Sequence, residues 1–317
     1  MNSSDSQSIN GDSTNASTAD FNYGFRRPEM YKTPLAGTVD AYDRHVFLSY
    51  RNPENWPHSV EDPESDPLPR LLAAALKSNK NSIQGKIRLT MCEGSDGRES
   101  SNGDILIFPD MIKYRGLTHL DVDAFVDDVF VKGSQWASGT VEMEMLNGSY
   151  VFVCCHKNRD RRCGHCGPVL VERFKEEMLF RATKHQVFVS PCSHLGGHQY
   201  AGNLIIFGPR LEGKCEGHWY GYVTPNDVPV LLDEHIEKGK IMERLWRGQM
   251  GSDASKKLVE PKLQETSAGI SDKGSSGSKA VAVCCSDADG VCCLERNEAI
   301  GETNLREGTE TKRLGRL

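Results

Sequence analysis

Hydrophobic residues in the first half of the chain form short apolar runs that are separated by stretches with helical spacing. Apolar runs at residues 45–50, 86–91 and 104–108 predict buried strands, since each is short and ends at turn-forming residues. Residues 68–77 and 122–131 place their apolar side chains three and four positions apart, which predicts amphipathic helices. The order strand, helix, strand, strand, helix is typical of an α/β domain.

The second half repeats this order with one further strand. Strands are predicted at residues 150–153, 186–190, 203–207 and 218–223, the last two as a hairpin. Gly167-Pro168 predicts the start of a helix that ends near Thr183, because proline is best tolerated in a first helical turn. Residues 224–227 predict the cap of a final helix that ends near Glu237. This β-α-β-β-β-α pattern suits a thioredoxin-like domain, so the expected fold class is α/β with two such domains in tandem.

Large apolar residues define the extent of the folded part. All 24 Phe, Tyr and Trp residues lie between Phe21 and Trp246, and both ends of the chain lack the groups that offset the entropy of ordering. The ends are therefore predicted to be disordered, and the length of 317 residues suggests two domains between them. The predicted division is residues 1–20, disordered; 21–147, first domain; 148–250, second domain; and 251–317, disordered.

Charge and hydropathy argue against two classes of partner. A net charge of −6 and a pI near 6.0 provide no basic surface for nucleic acid, and no apolar run reaches the ~20 residues of a membrane span. The first twenty residues contain no Lys or Arg, unlike a transit or signal peptide, so we expect a cytosolic location, and the nucleus stays open. In a reducing compartment, 11 cysteines indicate metal or redox chemistry.

Two pairs of candidate metal ligands follow the first strand of the second domain. Cys154 and Cys163 are separated by eight residues, and His194 and His198 by three. Thiolates and imidazoles are ligands of zinc and of iron–sulfur clusters rather than of magnesium or calcium. The sequence therefore predicts a metal centre, and we favour a Rieske-type [2Fe–2S] cluster over zinc.

Two further cysteines are weaker alternatives as ligands. Cys155 could replace Cys154, but neighbouring strand residues point to opposite faces, so only one of the two can serve. Cys163 and Cys166 form a CxxC motif at a helix N-terminus, which is also typical of thiol–disulfide oxidoreductases. Such an oxidoreductase leaves the histidine pair unexplained, and the proline that these enzymes place before the third strand is missing here. A dithiol oxidoreductase and a structural-zinc interaction module remain alternatives to the cluster.

Five motifs resemble those of the sucrase/ferredoxin-like family of plants and fungi, of the actin-patch-distribution and altered-inheritance-of-mitochondria type. In chain order the motifs are Phe25-Arg26-Arg27-Pro28-Glu29-Met30, Phe108-Pro109-Asp110-Met111-Ile112-Lys113-Tyr114, Cys154-x8-Cys163-Gly-x-Cys166-Gly-Pro, His194-x-Gly-Gly-His198 and Trp219-Tyr220-Gly221-Tyr222-Val223-Thr224-Pro225. The resemblance covers residues 21–251. It implies a thioredoxin-like ferredoxin whose second domain binds [2Fe–2S] through Cys154, Cys163, His194 and His198. The first domain would be a degenerate copy, since its single cysteine, Cys92, cannot supply four ligands.

This ligand set indicates one-electron chemistry. Replacing two thiolates of a cluster by neutral imidazoles raises its reduction potential, and a metal-bound imidazole keeps a second nitrogen that can lose a proton on oxidation. We therefore expect an electron carrier or redox sensor, with proton coupling, rather than a stand-alone enzyme. The chain has no dinucleotide-binding fingerprint, so a separate electron donor or reductase and a separate acceptor are expected. Sugar hydrolysis is disfavoured because no paired carboxylate motif is present.

Two vicinal cysteine pairs, Cys284-Cys285 and Cys292-Cys293, lie in the C-terminal segment that is predicted to be disordered. Vicinal thiols can bind zinc or copper or form a redox switch. Thiols in a segment without aromatic residues are more often simply reduced, and we favour that interpretation.

Overall fold

The computed structural model describes residues 22–60, 66–94, 102–136, 143–181, 186–209 and 215–251. Of the ends predicted to be disordered, only Gly251 is among these residues. The two vicinal cysteine pairs lie outside them. The strands are β1 (Arg44–Ser49), β2 (Ile87–Cys92), β3 (Ile105–Phe108), β4 (Ile112–Tyr114), β5 (Met143–Met145), β6 (Ser149–Cys154), β7 (Val187–Cys192), β8 (Leu204–Pro209), β9 (Cys215–Tyr220) and β10 (Trp246–Gln249). The helices are α1 (Pro67–Ser78), α2 (Val122–Val126), α3 (Arg161–Phe180) and α4 (Val228–Val230), and π-helical turns at Asp127–Val131 and Leu231–Ile236 extend α2 and α4. Within this described part of the chain, no helix combines the length and the apolar character needed to cross a bilayer.

Two units with the same strand connections form one sheet of ten strands, in the order β10-β9-β8-β6-β7-β2-β1-β3-β4-β5. In the first unit, residues 44–131, β1 lies parallel to β2 and antiparallel to β3, which pairs with β4. In the second unit, residues 149–236, β6 lies parallel to β7 and antiparallel to β8, which forms a hairpin with β9. The protein is therefore α/β, with the tandem thioredoxin-like arrangement predicted from the sequence. The domain boundaries stay predictions.

The two units meet at the middle of the sheet and share a hydrophobic core. Among the described residues, one register pair, Cys92 opposite Cys192, joins β2 to β7. Phe47 of β1 stacks on Phe152 of β6 with ring centroids 3.7 Å apart, and further buried rings from both units surround them. Since each unit covers apolar surface of the other, we expect them to unfold together.

Residues 22–38 precede the first unit in the chain but pack against the second. Leu35 is buried in the core of the second unit, and Phe25 and Met30 pack against that core. The Thr38 amide donates a hydrogen bond of 3.2 Å to the carbonyl oxygen of Arg247 in β10. In space this segment lies with the second unit, although the predicted division placed it in the first.

The helix that follows the first cysteine pair begins earlier than the sequence predicts. Helix α3 starts at Arg161, where the Asp160 carboxylate caps it by accepting a hydrogen bond of 2.8 Å from the Arg162 amide. The predicted start at Gly167-Pro168 is therefore wrong, and Pro168 lies inside the helix, where it omits one helical hydrogen bond. The earlier start places Cys163 in the first helical turn.

His45 is fully buried in the shared core. Its ring stacks on Phe47, and its two nitrogens pair with the Tyr42 hydroxyl at 3.1 Å and with Oγ1 of Thr90 at 2.9 Å. Burial, together with the nearby Arg88 charge, holds the pKa of His45 well below its usual range. The unfolded chain therefore binds a proton at this position more readily than the folded chain does.

We expect the free energy of unfolding to fall with pH below about 6.5, with His45 contributing up to about 1.4 kcal/mol per pH unit. The sign follows because the pKa is depressed in the folded state: the stabilisation is complete above the unfolded pKa and is lost as the pH falls. Urea unfolding at pH 7 and at pH 5 measures the slope. The His45→Gln variant should lose this part of the slope, whereas His119→Gln, at an exposed histidine, should keep it. An unchanged slope in His45→Gln would contradict the assignment.

Candidate metal centre

Three of the four predicted ligands meet in the second unit. The ligand atoms of Cys154, Cys163 and His194 all lie within 4.8 Å of one another, and all three residues are buried. Cys154 ends β6, Cys163 lies in the first turn of α3, and His194 follows the end of β7. In the part of the chain that the structure describes, no other group of three His, Cys, Asp or Glu side chains converges in this way.

Parallel strands and close helix packing bring these residues together. Strands β6 and β7 are parallel with Cys154 opposite Cys192, so their carboxyl ends lie at the same edge of the sheet. Helix α3 packs directly on this edge, because a Cβ atom at Gly167 would lie only 2.3 Å from the Cys154 carbonyl oxygen. A larger residue at position 167 would push the helix, and Cys163 with it, away from Cys154.

The two thiols shift each other's pKa in opposite directions. A hydrogen bond from Cys163, together with the neighbouring His194, holds the pKa of Cys154 well below its usual range despite burial. The same bond, together with burial, raises the pKa of Cys163. Nδ1 of His194 is buried and has no hydrogen-bond partner among the described residues. A thiolate beside an unsatisfied buried imidazole nitrogen is a donor set for a soft or borderline metal, so these residues fit zinc or an iron–sulfur cluster.

His198 lies next to this group but outside it. Its side chain is exposed, and its ring centroid lies 5.9 Å from that of His194. Gly196 and Gly197 turn the chain between the two histidines with φ angles of +84° and +67°. The structure thus places the fourth predicted ligand at the solvent side of the site and does not bring its ring into the group of three.

The weaker alternative ligands have other surroundings. Cys155 faces a different core from Cys154, as strand alternation predicts. Cys166 is buried, with Sγ 3.4 Å from Nη1 of Arg27 and 3.4 Å from the Tyr23 carbonyl oxygen. Sγ of Cys163 lies within 4.8 Å of the ligand atoms of Cys154 and His194 instead. The geometry therefore favours Cys154, rather than Cys166, as the partner of Cys163.

The charged and imidazole side chains around the site differ in exposure. They belong to the cysteine loop, residues 155–160, and to the start of α3. Arg162 forms an ion pair with Asp160 at 2.9 Å. Arg161 and His165 are exposed on the first turns of α3 and lie at the surface. His156 is buried, and burial lowers its pKa to about 4, so its ring is neutral near pH 7.

Arg247 of β10 holds the turn between the two histidines. It is buried, and its Nη1 donates to the Gly196 carbonyl oxygen at 3.2 Å and to Oδ1 of Asn203 at 2.8 Å. Nδ2 of Asn203 donates to the same carbonyl oxygen at 2.8 Å. The Arg247 guanidinium also donates twice to Thr38, with both distances 3.0 Å, which ties the segment before β1 to this turn. Sequence reasoning missed Arg247, whose only signal is a lone cation in a short apolar run.

Replacing Arg247 with Met is expected to lower the free energy of unfolding by on the order of 3 kcal/mol, because several buried acceptors lose a charged donor. Urea unfolding of the variant measures the change. Arg161→Met, which removes the same charge from an exposed position, should change stability by less than about 0.5 kcal/mol. Equal effects of the two substitutions would contradict the role given to Arg247.

The sequence model of the sucrase/ferredoxin-like family matches residues 35–248. Among curated proteins, the chain is similar to altered inheritance of mitochondria protein 32 from three yeasts. The Debaryomyces hansenii protein is 42% identical over 100 residues, which cover 32% of this chain and 35% of the relative. The Meyerozyma guilliermondii protein is 37% identical over 114 residues, 36% of this chain and 39% of the relative. The Saccharomyces cerevisiae protein is 38% identical over 101 residues, 31% of each chain. The match thus spans between 31% and 39% of the length of these relatives.

Solved structures of a thioredoxin-like [2Fe–2S] ferredoxin from Aquifex aeolicus are also similar to the chain. One is 22% identical with a TM-score of 0.26 and covers 33% of this chain and 94% of the ferredoxin. Another, of the wild-type protein, is 24% identical with a TM-score of 0.23 and covers 32% of this chain and 96% of the ferredoxin.

Proposed function

Since the chain belongs to the sucrase/ferredoxin-like family, we propose that it is a one-electron redox protein whose second unit carries a Rieske-type [2Fe–2S] cluster. The observation that carries this proposal is the convergence of Cys154, Cys163 and His194 within 4.8 Å in a buried position. His198, beside this group, would be the fourth ligand. The lowered pKa of Cys154 and the unsatisfied Nδ1 of His194 support a bound metal group, since a metal binds the thiolate and would satisfy the imidazole nitrogen.

The residues around the site have separate tasks in this proposal. When bound, the cluster supplies one-electron transfer, at a potential that imidazole ligation raises above that of an all-cysteine ferredoxin. Burial of Cys154 and Cys163 excludes water from the thiolates. The exposed ring of His198 lies where an electron-transfer partner can approach and where a proton can be exchanged with solvent. Transfer of an electron coupled to a proton is therefore part of the proposal.

Separate redox partners are also part of the proposal. The sequence contains no dinucleotide-binding fingerprint, so a reductase would supply electrons and a second protein would accept them. A thiolate-bound cluster is compatible with a reducing compartment, and the cytosol remains our expectation for its location.

Structural zinc is the second candidate for this site, because two thiolates and two imidazoles are also a common tetrahedral zinc set. Under this alternative the protein is an interaction module without redox chemistry. Both candidates would use His198 as the fourth ligand, so the metal content of the protein separates them.

Anaerobic purification of the full chain, followed by visible absorption and by analysis for iron, sulfide and zinc, tests the proposal. We expect a reddish-brown protein with iron and sulfide in equal amounts. A colourless protein, after reconstitution with iron and sulfide has also failed, would refute the cluster. Stoichiometric zinc in that protein would favour the second candidate.

A further inference from the structure

The first unit holds the cysteine loop of the second unit through side chains and backbone groups of residues 56–58, here called the clamp loop. Nδ2 of Asn158 donates to the Trp56 carbonyl oxygen at 2.9 Å. Nδ1 of His58 donates to the Asn158 carbonyl oxygen at 2.9 Å, and Nη1 of Arg159 donates to Nε2 of His58 at 3.1 Å. Hydrogen bonds donated from both sides thus fix the cysteine loop to the first unit.

His156 continues this contact from the clamp loop to the candidate ligand His194. Nε2 of His156 donates to the Pro57 carbonyl oxygen at 3.0 Å, and Nδ1 accepts from the His194 amide at 3.3 Å. A carbonyl oxygen only accepts and an amide only donates, so both bonds require the same neutral tautomer. The rigid ring therefore sets the distance between Pro57 and the His194 backbone.

The clamp loop itself is firmly anchored in the first unit. Trp56 is fully buried, its Nε1 donates to the Tyr50 carbonyl oxygen at 2.6 Å, and its ring contacts the His156 ring edge to face. Beside the site the sheet also joins the units, since the Ser193 amide donates to the Met91 carbonyl oxygen at 2.8 Å, so β2 and the clamp loop together hold the backbone at His194. A displacement of the first unit would therefore be transmitted to His194.

We propose that the clamp loop, acting through His156, is a positioning element that orients the candidate ligand His194. The degenerate first unit then has a definite task, which is to hold one ligand of a site that lies in the other unit. This inference rests on the proposed function for its redox consequence, but the link between Pro57 and His194 exists without a bound cluster.

Two substitutions of His156 each remove one of its two hydrogen bonds, to Pro57 or to His194, and keep the other. Asn places a side-chain oxygen near the position of Nδ1 and keeps an acceptor for the His194 amide, but it does not reach Pro57. Gln places its amide nitrogen near the position of Nε2 and keeps the donor to Pro57, but it loses the acceptor for His194. His165→Asn, at an exposed histidine of α3, is the matched control.

Amide hydrogen exchange of His194 in the metal-free full chain tests the link directly. We expect exchange to be faster by roughly tenfold in His156→Gln, because the amide loses its acceptor, and to stay near the native rate in His156→Asn. Native-like exchange in His156→Gln would overturn the proposal. Should both variants fail to fold, His58→Ala removes two bonds between the clamp loop and the cysteine loop at an exposed position, and a native reduction potential of that loaded variant would overturn the proposal.

The reduction potential and the EPR spectrum of the loaded protein test the consequence for the site. Both substitutions of His156 break the chain from Pro57 to His194, so each should shift the potential and alter the spectrum, while His165→Asn leaves both native. Native values in both His156 variants would overturn the positioning role. A native protein that never binds a cluster would refute the proposed function instead, and the exchange measurement on the metal-free chain would still decide the link.

Discussion

Replacing Cys154 or Cys163 with Ser is expected to reduce the iron content of the purified protein by at least about tenfold. Loss of a group that merely supports a ligand already costs about ten- to a hundredfold in metal affinity, and a lost thiolate ligand should cost more. Both side chains are buried with their ligand atoms within 4.8 Å of His194, so solvent provides no ready substitute. Iron and sulfide analysis after anaerobic purification measures the effect.

Two cysteines outside the group serve as controls for this expectation. Cys215→Ser changes a half-buried residue of β9 and should leave iron content native. Cys166→Ser should also retain iron, since Cys166 contacts Arg27 and Tyr23. Circular dichroism of each variant separates loss of the cluster from loss of the fold. Loss of iron in Cys166→Ser, with iron retained in Cys154→Ser, would contradict the ligand assignment.

Replacing Phe152 with Ala is expected to lower the free energy of unfolding by about 3–5 kcal/mol, a large part of the ~5–15 kcal/mol of a typical domain. The ring is 2% exposed and stacks on Phe47 of the first unit at 3.7 Å. Its loss leaves a cavity in the core that both units share. Urea unfolding followed by far-ultraviolet circular dichroism and by tryptophan fluorescence measures the change and shows whether both units still unfold together.

Phe180→Ala is the matched control for this stability effect. Phe180 ends α3 and is 89% exposed, so the same substitution there should change stability by less than about 0.5 kcal/mol. A loss of less than 1 kcal/mol in Phe152→Ala would contradict the shared core.

Most elements of the fold could be predicted because their signals are local. Strands such as β6, with six buried residues in a row, and the hairpin β8–β9 are visible as apolar runs bounded by turn residues. Strand β4 was missed because it has three residues and only Tyr114 is buried. The predicted start of α3 is too late because proline favours a first helical turn, whereas the Asp160 carboxylate caps the helix and Pro168 lies inside it.

The candidate site also has a part that the sequence predicts and a part that it does not. The meeting of Cys154, Cys163 and His194 follows the order of strands and loops, since the ends of parallel strands lie at one edge of a sheet. The roles of Arg247 and His156 depend on contacts with residues far away in the chain, such as Thr38 and Pro57, so no local pattern indicates them. Such contacts become visible only once the units are packed together.

The EPR spectrum of the dithionite-reduced full chain, compared with those of His194→Cys and His198→Cys, tests the mixed-ligand cluster most directly. We expect a rhombic signal of low average g in the native protein, because two imidazoles on one iron alter its electronic structure. Each histidine substitution should move the signal towards that of an all-cysteine cluster or abolish it. A protein that contains iron and sulfide but gives the same spectrum in both variants would contradict histidine ligation and, with it, the Rieske-type assignment.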